Sequence, residues 1–219
     1  MNIEREFAMP SRWTFDIAPI SKLLDEEMGE GLWIDPFAGK NSPADITNDL
    51  NPELDTDYTK KADDFLSMFD KNEVDGGILL DPPYNATQLK RLYDDLDINV
   101  EQNDTNSKFY AKPRNHAERI LDEGAKAISF GWNSVGVGKT RGFEKQKILL
   151  VCHGSSRNDT IVVVETNGNR SKNEKSVSDR VTTTVILRHV LFSFVKCIQP
   201  KKFSLMASQG LLLGLKATH

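Results

Sequence analysis

Apolar positions along the chain recur with two periods. Ile17, Ile20, Leu23 and Leu24 follow one another at helical spacing, which predicts an amphipathic helix over 19–28. Residues 31–35 read as a first strand, stopped by Pro36, and 45–49 as a short second strand closed by Asn51-Pro52. Phe65, Met68 and Phe69 predict a helix over 60–69; Leu89, Leu92 and Leu96 predict another over 87–96. Between those helices, Gly77-Ile78-Leu79-Leu80 has no polar position and ends just before Pro82-Pro83. Such a run belongs to a strand buried on both faces of a parallel sheet. Residues 98–115 are rich in Asn, Asp, Lys and Arg and read as irregular, with a helix following near 116–126 and a strand over 127–130. After a Gly-rich segment, 148–152 and 160–164 form an antiparallel hairpin. Strands that alternate with helices predict an α/β fold, and the terminal hairpin makes its sheet mixed.

The pattern changes after the hairpin. Residues 167–184 are polar and nearly free of large apolar side chains, as in a linker. In 185–219, Leu187, Val190, Leu191, Phe194, Val195 and Ile198 fit one helix face, while 181–187 is β-branched enough to start a strand. The expected organisation is a catalytic domain over 1–166, a linker, and a C-terminal tail.

Composition narrows the classes. The chain has 219 residues, 38% hydrophobic and 27% charged, which is the balance of a soluble globular protein. No apolar run approaches the roughly 20 residues that span a bilayer, and residues 1–10 contain no leader-like apolar stretch. Cys152 and Cys197 are too few for a disulfide framework or a cysteine-rich zinc site, and a reducing cytoplasm is expected. The net charge of −4 divides into −14 over residues 1–110 and +10 over 111–219. A basic half is either a footprint for a polyanion or one end of a dipolar soluble protein.

Candidate chemistry centres on Asp81-Pro82-Pro83-Tyr84, directly after the all-apolar strand. The prolines end the strand in a rigid turn at its carboxyl end, where open α/β sheets bind ligands. The Asp81 carboxylate and the Pro82 carbonyl offer two acceptors, and Tyr84 offers an aromatic face. That set suits a planar heterocycle bearing an exocyclic amine, whose two N–H groups point to the acceptors. The same negative groups stabilise the positive charge that grows on the nitrogen during alkylation. Upstream, Trp33-Ile34-Asp35-Pro36-Phe37-Ala38-Gly39 is another strand ending in an acid and a glycine, and Asp49 ends the second strand, where it can reach ribose hydroxyls. Asp64-Phe65 pairs a carboxylate with an aromatic ring.

These motifs, in this order, resemble the S-adenosylmethionine-dependent DNA adenine-N6 methyltransferases, in particular the short bacteriophage forms. The resemblance covers residues 7–166 and implies a Rossmann-like methyltransferase fold, abbreviated near the cofactor loop. It implies that Asp81 and Pro82 bind the target amine within the 81–84 turn that includes Pro83, and that Tyr84 stacks on a flipped adenine. By the same likeness, Asp35, Phe37 and Gly39 form the cofactor loop, Asp49 holds the ribose, and Asp64 and Phe65 contact the cofactor's adenine. Trp13 and Phe15 pack on its methionine end. Residues 129–133 and the hairpin match the later strands of that fold. The chain departs from the family at Asn41, where a second glycine is usual, and in having only six residues between Gly39 and Ile46, with no room for the customary helix. DNA is the implied partner. Lys108, Tyr110, Lys112 and Arg114 are the first candidates to contact it and Lys139 and Arg141 the second; a solvated loop explains them equally.

Two features lead elsewhere. Gly136-Val137-Gly138-Lys139-Thr140 imitates the end of a phosphate-binding loop, but position 133 is Asn where that motif requires glycine. His153 stands alone at a strand end, and no His, Cys and carboxylate spacing suits a metal, so none is expected. An RNA methyltransferase acting on an exocyclic amine such as guanine N2, and a catalytically silent binding protein, are the rival functions.

Overall fold

The computed structural model describes residues 1–97, 107–154 and 158–168; the side chains of residues 107 and 108 lie outside that description, as do the linker beyond 168 and the tail. Seven strands form one sheet: β1 (Asn2–Phe7), β2 (Trp33–Asp35), β3 (Ile46–Thr47), β4 (Gly77–Leu80), β5 (Lys126–Gly131), β6 (Phe143–Cys152) and β7 (Thr160–Asn167). Their order across the sheet is β1-β6-β7-β5-β4-β2-β3. Only β7 runs against the others, pairing antiparallel with β5 on one side and β6 on the other. This is the mixed α/β sheet expected from the alternating pattern, and it is consistent with the Rossmann-like fold that the resemblance implies.

Four helices accompany the strands: α1 (Ala18–Glu27), α2 (Ala62–Leu66), α3 (Ala86–Asp95) and α4 (Ser107–Ile120). Ile20, Leu23 and Leu24 of α1 bury against one face of the sheet, with Trp33, Leu79, Ile128 and Phe130. Phe65 and Leu66 of α2 and Ala117 and Ile120 of α4 bury against the other, with Ile34, Ile78, Leu80 and Ala127. Adjacent residues of β2 and β4 thus serve opposite cores, which accounts for the unbroken apolar run in β4.

Three elements differ from expectation. Strand β1, which the apolar pattern does not announce, pairs in parallel with the edge of β6. Its side chains are largely exposed, so burial leaves little imprint on its sequence. Residues 107–115, expected to be irregular, open α4; Pro113 sits inside this helix. A proline there removes one donor and usually breaks a helix, but Pro113, Ala117, Ile120 and Leu121 share a buried face that holds this one together. Helix α2 is shorter than predicted, and Met68 is exposed. No helix among the described residues is long and apolar enough to cross a membrane.

Candidate active site at the strand ends

Chain order reverses at β2, which has β3 on one side and β4 on the other. Doubly wound sheets place their ligands in the crevice outside the carboxyl ends of the strands at such a switch point. A cleft of about 1050 Å³ occupies this position, lined by Trp13, Phe37, Gly39, Asp49, Asp64 and Pro83 among others.

The loop leaving β2 is built on Asp35. This fully buried carboxylate accepts the Phe37 N–H at 2.9 Å and the Ser42 hydroxyl at 2.7 Å. Burial pushes its carboxyl up to about 7, against the lowering effect of those two bonds. Gly39 and Asn41 both have left-handed backbones, φ 55° and 69°. Asn is among the few other residues that tolerate this region, and the Asn41 amide is further tied to Asp16 at 2.9 Å. A Cβ on Gly39 would stand 3.4 Å from the Trp13 ring, so the loop lies close under the indole. Asp49 accepts Gly39 N–H at 2.9 Å with one oxygen and Asn51 N–H at 2.8 Å with the other. A carboxylate offers about four lone-pair sites, which leaves acceptor capacity facing the cleft. Ten residues connect β2 to β3 without a helix, and buried Asn48 braces that crossover. Its amide donates to the Pro36 and Lys60 carbonyls at 3.1 and 3.0 Å.

The turn after β4 is held by an exchange across the start of α3. Asn85 caps the helix by accepting Gln88 N–H at 2.8 Å, and the Gln88 side chain accepts Tyr84 N–H at 2.7 Å. The Asn85-x-x-Gln88 spacing is close to a capping box, a signal that hydrophobic periodicity passes over. Oδ1 of Asp81 is buried and has no hydrogen-bond partner among the described residues. Burial raises the Asp81 carboxyl to about 6, while the hydroxyls of Thr14 and Tyr84 draw it partly back. Burial and the neighbouring Asp81 push the Tyr84 phenol far above its ordinary range, which keeps it a donor. The Tyr84 ring meets Trp132 edge-on, with centroids 5.6 Å apart and planes at 72°. Of the four residues in the turn, only Pro83 lines the cleft.

Several candidate side chains sit elsewhere than expected. Phe65 is fully buried against Phe69 and Tyr58, so the expected contact with an adenine is corrected. Successive helical residues point about 100° apart, and in α2 Asp64 lines the cleft together with Ala62 and Asp63. Phe15 likewise packs edge-on against Phe130 in the core beneath, and Asp35 supports the loop from within rather than lining the cleft. Phe109 takes the aromatic place opposite Phe37, at 6.4 Å.

The basic candidates are mostly engaged. Lys112 reaches Asp63 at 2.7 Å, and His116 takes the other oxygen of Asp63 at 2.9 Å. Arg119 adds bonds to His116 and to the Phe69 and Leu66 carbonyls, so α4 is bound to α2 along one wall of the cleft. Burial would raise the Asp63 carboxyl, but Lys112 and His116 hold it below its ordinary range. Arg141 donates to Asn115 at 2.9 Å and to the Val137 carbonyl at 3.1 Å. Arg114 is half-buried near Arg141 and Glu165, and desolvation lowers its pKa. The hydroxyl of Tyr110 is buried without a partner. Lys139 is exposed, and the Lys108 side chain lies outside the described residues.

The phosphate-loop look-alike has an internal occupant. Fully buried Glu165 accepts Val137 N–H at 2.5 Å and Gly138 N–H at 3.2 Å. A Cβ on Gly136 would collide with this carboxylate, which explains the glycine in an anion cradle that the protein fills itself. His153 ties β1 to the hairpin, bonding the Ala8 carbonyl at 3.0 Å and the Thr160 hydroxyl at 2.9 Å.

No family model matches the chain, and no curated protein matches it. Among solved structures, a candidate methylase from Haemophilus influenzae aligns over 74% of this chain and 92% of that one, at 12% identity and a TM-score of 0.38. A likeness that slight carries no weight for function, which must rest on the chemistry of the strand ends.

Proposed function

We propose that the protein transfers a methyl group from S-adenosylmethionine to the N6 amine of adenine in DNA. The observation that carries this reading is Asp81: a buried carboxylate oxygen without a donor among the described residues, at the carboxyl end of β4, two residues from the cleft-lining Pro83. Leaving such an acceptor unmade costs about 1–3 kcal/mol, and an N–H group of a substrate supplies the missing donor.

The donor set of the cleft suits the cofactor. Asp49 retains acceptor capacity for ribose hydroxyls, Trp13 and Phe37 present aromatic faces, and Gly39 admits close backbone approach. When bound, the cofactor supplies an electrophilic methyl group on a sulfonium. Asp81 and the Pro82 carbonyl draw the two amine hydrogens away from the ring plane, freeing the nitrogen lone pair. With the cofactor bound, transfer of its methyl group would leave the carbon–sulfur electron pair on sulfur and place positive charge on the amine nitrogen. The Asp81 carboxylate stabilises that charge, and the departing proton goes to it or to water. The target atom lies inside the duplex, so the base must flip out at a cost of a few kcal/mol; stacking on Tyr84 offsets about 1–3 kcal/mol of that.

The charge distribution locates the attraction to nucleic acid. Residues 169–219 hold nine Lys and Arg against two Asp and Glu, a balance of +7, whereas 1–168 carry −11. Phosphate contacts dominate affinity for nucleic acid, so in this reading the linker and tail together supply most of the attraction and the catalytic domain supplies the chemistry.

The test is transfer of labelled methyl groups to plasmid DNA and to ribosomal RNA, with nucleoside mass spectrometry of DNA from expressing cells. N6-methyladenine in the DNA supports the reading. Label in RNA alone replaces it with the RNA alternative. No label in either, despite measurable cofactor binding, leaves the silent binding protein.

A further inference from the structure

We propose that Trp132 is the second wall of the acceptor site, so that the target base is held between the Tyr84 and Trp132 rings. This rests on the methyltransferase reading and names a residue that reading does not use. Leu80 of β4 lies directly opposite Ser129 of β5, so Tyr84 and Trp132 leave the carboxyl ends of neighbouring parallel strands. Their rings already touch, edge to face at 5.6 Å. That contact leaves no slot, and a planar base enters only by displacing one ring.

The two rings differ in how firmly they are held. Tyr84 is fixed by the Gln88 bond to its N–H and packs against the core on the α1 side. Trp132 is 37% exposed, and of the three tryptophans it alone ranks among the exposed large apolar side chains of the described residues. Its backbone is nevertheless anchored, because Gly131 still pairs with Ile161 and Asn133 Oδ1 accepts Val135 N–H at 3.0 Å in the turn that follows. A large, partly exposed aromatic ring on an anchored backbone, edge-on to Tyr84, suits a clamp that would turn face-on to a seated base. Trp gives more stacking area than any other side chain, and a flipped purine is the ligand class for which paired stacking returns most.

The chain has three tryptophans, which makes the test spectroscopic. Trp33 is buried in the core and Trp13 lines the cofactor cleft, so an acceptor base should quench mainly Trp132. Full-length wild-type protein is titrated with single-stranded oligodeoxyadenylate, with S-adenosylmethionine itself as the control ligand for Trp13. The expected result is quenching by the oligonucleotide that is lost in Trp132→Phe, while the cofactor-dependent signal persists. In methyl transfer to unmethylated genomic DNA, Trp132→Phe should keep most activity. Trp132→Leu should raise KM for DNA on the order of 10- to 100-fold with a smaller change in kcat. Quenching that survives in Trp132→Phe overturns the proposal. So does a Trp132→Leu variant that melts earlier yet keeps its KM, since that result marks a ring that merely shields Tyr84. If wild-type protein methylates no DNA, the methyltransferase reading fails, and the quenching arm still reports whether a base reaches Trp132.

Discussion

Two aspartates stand at the carboxyl ends of neighbouring strands of this sheet, Asp35 fully buried and Asp81 half-buried, and their oxygens are satisfied to different degrees. Asp35, after β2, spends both carboxylate oxygens on its own loop, bonding Phe37 N–H and the Ser42 hydroxyl. Asp81, after β4, keeps Oδ1 buried and unpartnered. Burial raises both carboxyls, to about 7 and about 6 respectively. A carboxylate saturated by its own chain is a structural tie; one left short of a donor is arranged for something that arrives later. The contrast explains why two similar strand-end motifs read alike in the sequence and do different work.

The comparison breaks most sharply on substitution. Asp81→Ala should lower single-turnover methyl transfer on the order of 10²- to 10³-fold. Its unfolding midpoint should change little, because the unsatisfied Oδ1 is removed together with the acceptor of the Thr14 and Tyr84 hydroxyls. Cofactor affinity should stay close to wild type. A variant that loses cofactor binding while transferring methyl normally would show that Asp81 has the structural role and that the contrast is inverted.

Asp35→Ala should do the reverse. Two loop donors lose their acceptor, so denaturant unfolding should show a loss of about 1–3 kcal/mol. Cofactor binding should weaken as the loop carrying Phe37 and Gly39 loosens, and Asp35→Asn should recover part of both. Unchanged stability in the alanine variant would remove the distinction between the two sites.

Acidity sharpens the contrast without removing either residue. Both folded-state values lie above the roughly 3.9 of an unfolded aspartate. The folded chain therefore holds extra protons between that value and about 6 for Asp81 or about 7 for Asp35. Their contribution to stability is full below about 3.9 and is lost as pH rises through these windows. Urea midpoints measured from pH 4 to 8 should flatten near neutrality in Asp35→Asn and at lower pH in Asp81→Asn. Activity runs the other way: the Asp81 carboxylate must be ionised to accept the amine, so kcat/KM should climb with pH through about 6. An acid limb that does not move or vanish in Asp81 variants would belong to another group.

The smallest effect is expected from removing only the Tyr84 hydroxyl. This group lowers the Asp81 pKa, so Tyr84→Phe should keep much of the activity while shifting the acid limb upward. Tyr84→Ala should lose most of the activity, because the ring is gone as well. Equal damage from Phe and Ala would transfer the role from the ring to the hydroxyl.

Much of this architecture can be read along the chain. Strand β4 falls at Gly77–Leu80 as its apolar run and flanking prolines predict, and α1 and α3 fall within one residue of their expected spans. The turn at Asp81 is legible for the same reason: a strand buried on both faces must stop abruptly, and Pro82-Pro83 stops it. Helix α4 is less legible because its first turns are polar and contain Pro113, a residue that local propensity counts against a helix. Its core-facing residues override that preference through packing that lies elsewhere in the chain.

What the sequence determined by itself is therefore local and periodic: the alternation of strands and helices, the burial of β4, and the placement of acids and aromatics at strand ends. Tertiary structure decided which of those side chains face the cleft. It buried Phe65 and exposed Asp64 beside it, filled the Gly136–Gly138 cradle with Glu165, and brought Trp132 against Tyr84 from a strand nearly fifty residues away. Periodicity reports that a face is buried, since burial repeats with the helix or strand. Whether a particular polar atom finds a partner depends on groups distant in sequence, and the folded chain alone distinguished Asp35, whose two oxygens are both bonded, from Asp81, whose Oδ1 has no partner among the described residues.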